Sequence, residues 1–126
     1  MSYNISVGTK NWNVTYNLGK LFHNNIPSVE NDDGSVTDSG LQRLHLKTGA
    51  ESIEILGKFF ENVQADRNRL TAERHRDFHD ETRGEPELCE KYDPKNGWGS
   101  LIGGLIFMGE FLAECALHSD SVIEIS

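Results

Sequence analysis

The stretch Ser100-Leu101-Ile102-Gly103-Gly104-Leu105-Ile106-Phe107-Met108-Gly109-Glu110-Phe111-Leu112-Ala113-Glu114-Cys115-Ala116-Leu117 is the segment around which the chain is organised. Ser100 has the side chain that caps a helix start, because its hydroxyl accepts from one of the first unpaired backbone N–H groups. From Leu101 onward, Leu105, Met108, Leu112 and Cys115 recur at four- and three-residue spacings and form one stripe of a helix. Ile102, Ile106, Gly109, Ala113 and Leu117 form a second stripe beside it, leaving Ser100, Gly103, Glu110 and Glu114 for water. A helix apolar over so much of its circumference belongs in a core or between subunits. Both stripes are therefore expected to be buried, and the 101–117 helix is a candidate surface for homo-oligomers. Two glutamates, a length below the roughly 20 residues of a bilayer span and the lack of a basic flank exclude a membrane helix.

The residues before it, Tyr92-Asp93-Pro94-Lys95-Asn96-Gly97-Trp98-Gly99, have turn chemistry. Pro94 fixes φ, Asp93 can bond forward to the backbone, and Gly97 tolerates φ > 0. Trp98 has two readings here, an exposed anchor for a partner or a ring folded onto the start of the helix.

A chain of 126 residues with 37% hydrophobic and 25% charged residues matches ordinary globular usage, so residues 1–126 are expected to form a single domain. With 20 acidic against 12 basic residues the net charge is −8, which repels a phosphate backbone and argues against direct nucleic-acid binding. The same charge is compatible with the reverse, an acidic surface that binds a nucleic-acid-binding protein by imitating its ligand. Residues Met1 to Val7 lack the basic start and apolar core of a secretion signal. Together with only two cysteines, Cys89 and Cys115, this predicts free thiols and a cytoplasmic protein.

Strict alternation in Tyr3, Ile5 and Val7, and again in Trp12, Val14 and Tyr16, predicts a β-hairpin turning over Gly8-Thr9-Lys10-Asn11. Asn17 is placed to cap a short helix burying Leu18, Leu21, Phe22 and Ile26. The composition over 27–40 then shifts to Glu, Asn, Asp, Ser and Gly, which predicts a mobile acidic loop. A calcium-loop register fails there, since Val29 and Gly40 fall where the first and last ligands should be. Thr48 and Glu51 have capping-box spacing, and Ile53, Leu56, Phe60 and Val63 predict the buried stripe of the helix that follows. The mixed charges of 66–85 suit a solvated helix or a projecting arm. Glu85-Pro86-Glu87 restarts a helix, and Val122 to Ile125 reads as a last strand. The expected fold class is α+β: a small antiparallel sheet, made of the N-terminal hairpin and a C-terminal strand, packed on two main helices.

Chemistry is sparsely signalled. His75 and His79 are four apart and share a helical face, but Arg74 and Arg76 flank them and the HExxH pattern is missing, so they are weak metal candidates and no cofactor is expected. Nucleophile elbows, phosphate loops and CxxC pairs are absent from the sequence. Arg69, Arg74 and Arg76, with Phe78, are candidates for docking a partner's carboxylates. On the opposite charge, Asp32, Asp33 and Asp38 are candidates for docking its basic groups.

Gly40-Leu41 with Leu44, Thr48-Gly49-Ala50, Asp93-Pro94, Asn96-Gly97-Trp98-Gly99, Gly104, Phe111-Leu112 and Cys115 together resemble a group of small uncharacterised phage and bacterial proteins. Val14-Thr15-Tyr16-Asn17 and the opening strand extend the resemblance over most of the chain, and 66–85 looks like an addition to it. No catalytic assignment comes with the resemblance; it implies a phage-encoded setting. The resulting expectation is a non-enzymatic interaction protein that binds and modulates or inhibits a host protein, such as a defence factor. The alternative is a small-ligand or metal-binding module using the Arg/His-rich segment 67–83.

Overall fold

A computed structural model describes residues 2–78, 85–94 and 99–126, with side chains undescribed at 71, 73–78 and 85–87. Strand β1 (Ser2–Val7) pairs antiparallel with β2 (Lys10–Thr15) from Ser2 opposite Thr15 to Val7 opposite Lys10. That register closes the hairpin over only Gly8 and Thr9, with Gly8 at φ +59, so the turn is two residues tighter than its composition suggested. A 3-10 turn (Tyr16–Leu18) leads into α1 (Gly19–Asn25). Thr15, not Asn17, makes the cap: its Oγ1 accepts from the Asn17 N–H at 3.2 Å.

A second 3-10 turn (Gly40–Leu44) precedes α2 (Gly49–Phe78), then α3 (Glu85–Tyr92), α4 (Leu101–Leu117) and β3 (Glu124–Ile125). β3 adds to the free side of β1, giving the antiparallel order β2-β1-β3. The α+β class expected from the pattern is the observed one, a three-stranded sheet with helices packed on it.

Pairing continues past β3. Leu46 donates to the Ile123 carbonyl and Ile123 to the Lys47 carbonyl, both at 2.8 Å. The chain entering α2 is thereby stitched to the chain leaving α4.

The expected capping box forms. The Thr48 N–H donates to Glu51 Oε1 at 3.1 Å and the Glu51 N–H to Thr48 Oγ1 at 3.3 Å, so two unpaired donors of the helix start are satisfied together. Gly49 sits against the far end of α4, where a Cβ would meet the backbone oxygens of Cys115 and His118. Because Asp66, further along α2, reaches Tyr92 just before α4 begins, α2 and α4 run in opposite directions.

The core joins the inward sheet residues Tyr3, Ile5, Val7 and Val14 to Leu21, Phe22, Leu56, Phe59, Met108 and Phe111. Aromatic rings run through its middle, with Phe22 6.3 Å from Phe59 and 6.2 Å from Phe107 between centroids, and Phe107 5.6 Å from Phe111. Such edge-to-face and offset pairs add to area burial. Among the described positions of α2, Gly49, Ser52, Leu56, Phe59 and Val63 are buried: Leu56 and Val63 as expected, Ser52 and Phe59 in place of Ile53 and Phe60. Phe59 displaces Phe60 inward, and Ile53 turns outward.

The larger correction concerns α4. Leu101, Gly104, Phe107, Met108, Phe111 and Cys115 are buried, whereas Ile102, Gly109, Ala113 and the rest of the second apolar stripe face outward. The reason is that α1 and the sheet approach from the Phe107 and Phe111 side while α2 packs along the same buried side. Gly104 permits that approach, since a Cβ there would lie 2.9 Å from Leu21 Cδ2 and 3.3 Å from Leu18 Cδ1.

Ser52 is the odd member of this core. Its hydroxyl is buried and has no hydrogen-bond partner among the described residues, which leaves a desolvated polar atom at a cost of about 1 kcal/mol or more. Ser52→Ala is therefore expected to raise the thermal midpoint, by an amount equivalent to about 1 kcal/mol, as read from a melt followed by circular dichroism.

Candidate functional site

The acidic loop expected over 27–40 is held by its own backbone. Glu30 and Val36 form an antiparallel bridge, the Thr37 N–H donates to the Val29 carbonyl at 2.9 Å and the Asn31 N–H to the Ser35 carbonyl at 2.7 Å. The tip turns at Gly34, φ +86, where the Gly34 N–H donates to the Asn31 carbonyl. Asp33 works inside the turn. Its Oδ1 accepts from the Ser35 hydroxyl at 2.6 Å and the Ser35 N–H at 2.9 Å, and these bonds hold its carboxyl below the usual range.

The base of this hairpin is fastened to the domain. Gly40 donates to the Ile26 carbonyl at 2.6 Å, Arg43 Nη1 to the Pro27 carbonyl at 3.0 Å, and His23 Nδ1 lies 2.7 Å from Ser39 Oγ. Gly40, at φ +70, is packed so closely that a Cβ would come 2.9 Å from His23 Nδ1. Glu30, Asp32 and Asp38 are exposed on this frame. Between them Val29 is exposed and Val36 keeps 64% of its surface in water, an apolar anchor beside carboxylates.

The second polar constellation was not visible as such in the sequence. Asp66, on α2, accepts from Lys91 Nζ and the Tyr92 hydroxyl at Oδ2, each 2.9 Å, and from Arg69 Nη2 at Oδ1, 2.7 Å. Asn25 Nδ2 donates to the Leu21 carbonyl at 2.8 Å and to the Tyr92 hydroxyl at 3.3 Å, and Asn62 donates to the Asn25 carbonyl at 3.0 Å. Burial alone would raise the Asp66 pKa, but the bonds from Lys91, Arg69 and Tyr92 outweigh it and hold the carboxyl below its ordinary range. Burial likewise opposes the Lys91 charge, and Asp66 more than restores it, so that ammonium titrates above its ordinary value. These residues line a cleft of about 500 Å³. The Asp66 carboxylate already takes three donors from the chain itself, which makes the cluster a clamp of α3 and α1 on α2, not a poised catalytic group.

Two further concavities border the sheet. One, of about 600 Å³, lies over the outer face and includes Asn4, Asn11, Asn13, His45 and Leu46. Leu46 has φ +66, an uncommon conformation for a branched side chain, and its N–H is tied to Ile123. The other, of about 580 Å³, lies between β2 and the start of α4, with Trp12, Leu18, Ser100 and Phe107 along it. Ser100 caps α4 as expected, accepting from the Gly103 N–H at 3.0 Å. Asp93 adds a second cap, its Oδ1 accepting from the Leu101 N–H at 2.7 Å.

Of the residues singled out from the sequence, Asp32 and Asp33 occupy the hairpin tip and Asp38 its return, while Arg69 is bound to Asp66 on another part of the surface. Arg74, His75, Arg76 and Phe78 lie in the last turns of α2, where only the backbone is described. His79 and Trp98 lie outside the described residues. Among the described residues no three His, Cys, Asp or Glu side chains are grouped to hold a metal ion, and no helix is long and apolar enough to cross a membrane. Cys89 and Cys115 are not joined in a disulfide. Burial, aided by Glu114, pushes Cys115 up to about 11, which leaves it protonated and unreactive at neutral pH.

No family model, no curated protein and no solved structure matches the chain.

Proposed function

We propose that this protein is a small, non-enzymatic binding module that offers its anchored acidic hairpin, residues 28–38, to a basic patch on a partner protein and modulates that partner by occupying it. The observation that carries the reading is the frame itself: backbone bonds across the hairpin and three ties at its base fix where Glu30, Asp32 and Asp38 stand. A loop ordered beforehand loses little entropy on binding. Val36 beside the carboxylates adds an apolar contact to the electrostatic one, the combination that interfaces use at their centres and rims. The net charge of −8 would steer the approach of a basic partner. The resemblance to phage and bacterial proteins makes a bacterial host protein the first candidate.

The test is capture from a bacterial lysate by the immobilised chain, compared with a Glu30→Gln, Asp32→Asn, Asp38→Asn variant in which Asp33 keeps the turn. At low salt the intact chain is expected to retain a specific basic protein, and the triple variant to retain at least about tenfold less, the loss expected for three charged contacts. Equal retention by the two chains would refute the hairpin as the binding surface.

A further inference from the structure

We infer that α4 is a self-association surface, on which two copies of this chain pack antiparallel with Gly109 at the two-fold axis. Ile102, Ile106, Gly109, Ala113 and Ala116 recur at spacings of four, three, four and three, the 3.5-residue period of a seam filled by a second helix. This seam is open: Ile102 is 62% and Ile106 59% exposed, and Leu117 at its end 74%. A Cβ built on Gly109 meets nothing within 4 Å. The arc holds no charged residue. Half-buried Leu105 and Leu112 border it on one side, and on the other Glu110 is drawn aside by Trp12 Nε1, 3.2 Å from its Oε2.

The choice of a second copy follows from the size gradient along the seam. Its first half carries two isoleucines and its second half two alanines, with glycine at the centre. Run antiparallel, a second α4 sets Ile102 and Ile106 of one copy against Ala116 and Ala113 of the other, and lets the two helices approach at Gly109. Run parallel, isoleucines would crowd isoleucines and alanines would face a gap, which close packing disfavours. The antiparallel arrangement is isologous and closes after two copies.

Its strength is also constrained. From 102 to 117 the helix rises about 23 Å and presents a face about 10 Å wide, well under the roughly 800 Å² per partner of a standard interface. The dimer is therefore a weak one. Each copy carries −8, so salt should strengthen the dimer by screening repulsion. A basic protein seated on the same face would instead bind more weakly in salt. This inference is independent of what the acidic hairpin binds.

Sedimentation equilibrium from about 5 to about 500 µM, at about 0.05 and about 0.5 M salt, reads these properties directly. The mass should rise from 14.2 kDa towards twice that value with concentration, and at lower concentration in high salt. Gly109→Arg, which has room to fold, should stay at the mass of one chain with a thermal midpoint in dilute solution at or above that of the unaltered chain, because arginine is the better helix former. In a Cys89→Ser background, Gly109→Cys should cross-link to itself, and Ile102→Cys should cross-link to Ala116→Cys but not to itself. A single-chain mass throughout, a dimer undiminished by Gly109→Arg, or self-cross-linking by Ile102→Cys would each overturn the proposal.

Discussion

Gly49→Ala is expected to destabilise the protein by about 3 kcal/mol, lowering the thermal midpoint by roughly 10 °C for a domain of this size. Alanine is the better helix former, by about 1 kcal/mol over glycine in an interior, so propensity alone predicts the opposite sign. Space decides against it. A Cβ on Gly49 would stand 2.5 Å from the Cys115 carbonyl oxygen and 2.6 Å from that of His118. Both are backbone atoms at the end of α4, and neither can rotate away as a side chain would. Relief requires parting the two helices at the point where Ala50 donates to the Ser119 carbonyl at 3.0 Å and Gly49 to that of Ser121 at 3.0 Å. Gly57 supplies the control, because it lies in the same helix and nothing comes within 4 Å of its Cβ position. Gly57→Ala should stabilise by up to about 1 kcal/mol. Thermal melts of the two variants should move in opposite directions, and a Gly49→Ala midpoint equal to or above that of the unaltered chain would contradict the close crossing of α2 and α4.

Asp66→Ala is expected to cost about 2–3 kcal/mol, because it strands the Lys91 ammonium and the Tyr92 hydroxyl in a half-buried cleft and frees α3 from α2. The Arg69 bond adds little to that figure, since Arg69 is about half exposed and surface pairs are weak. The dependence on pH has a definite sign. The folded-state pKa of Asp66 lies below 3.8, so the unfolded chain takes up the proton first as acid is added. The stabilisation is therefore complete above the unfolded value, near pH 4, and is lost as pH falls through the folded value. Lys91 acts at the other end: its pKa is raised above 10.5, so its contribution persists below that value and is lost as pH rises through the raised one. Urea unfolding at stepped pH checks both. The gap between the unaltered chain and Asp66→Ala should be widest near neutrality and should close in acid. A gap constant down to pH about 2 would show that the carboxylate charge is not what holds the clamp.

What the sequence disclosed and what it concealed follow from the range of the interactions involved. The first hairpin strand, the Thr48–Glu51 capping box, the Ser100 cap and the restart of helix after Glu85 depend on neighbours within a few residues, and each is found where the pattern put it. The second strand instead starts two residues early, at Lys10, and ends at Thr15, with Tyr16 passing into a 3-10 turn. The buried side of α4 depends on partners brought from afar. Both of its stripes are apolar, and the arrival of α1, α2 and the sheet on the side of Gly104, Phe107, Phe111 and Cys115 turns Ile102 and Ile106 outward.

Asp66 shows the same limit in the polar residues. In a run of mixed charges it looks like one more solvated carboxylate, and its partners Lys91 and Tyr92 are 25 and 26 residues away. Trp12 likewise reads as an alternating strand residue, although its ring sits 5.5 Å from that of Phe111. The frame of the acidic hairpin is hidden for another reason. Its bonds are mostly between backbone atoms, or from turn residues such as Asp33 and Thr37, and composition records only that the segment is polar.

Hydrogen exchange of the chain, alone and with the protein it captures, tests the proposed role of that hairpin as a preformed binding surface most directly. Amides bonded across the hairpin, those of Asn31, Gly34 and Thr37, should slow further on binding, while those lining the Asp66 cleft and the sheet's outer face should be unchanged. Protection appearing at either of those places, with exchange at 28–38 unaltered, would contradict the account.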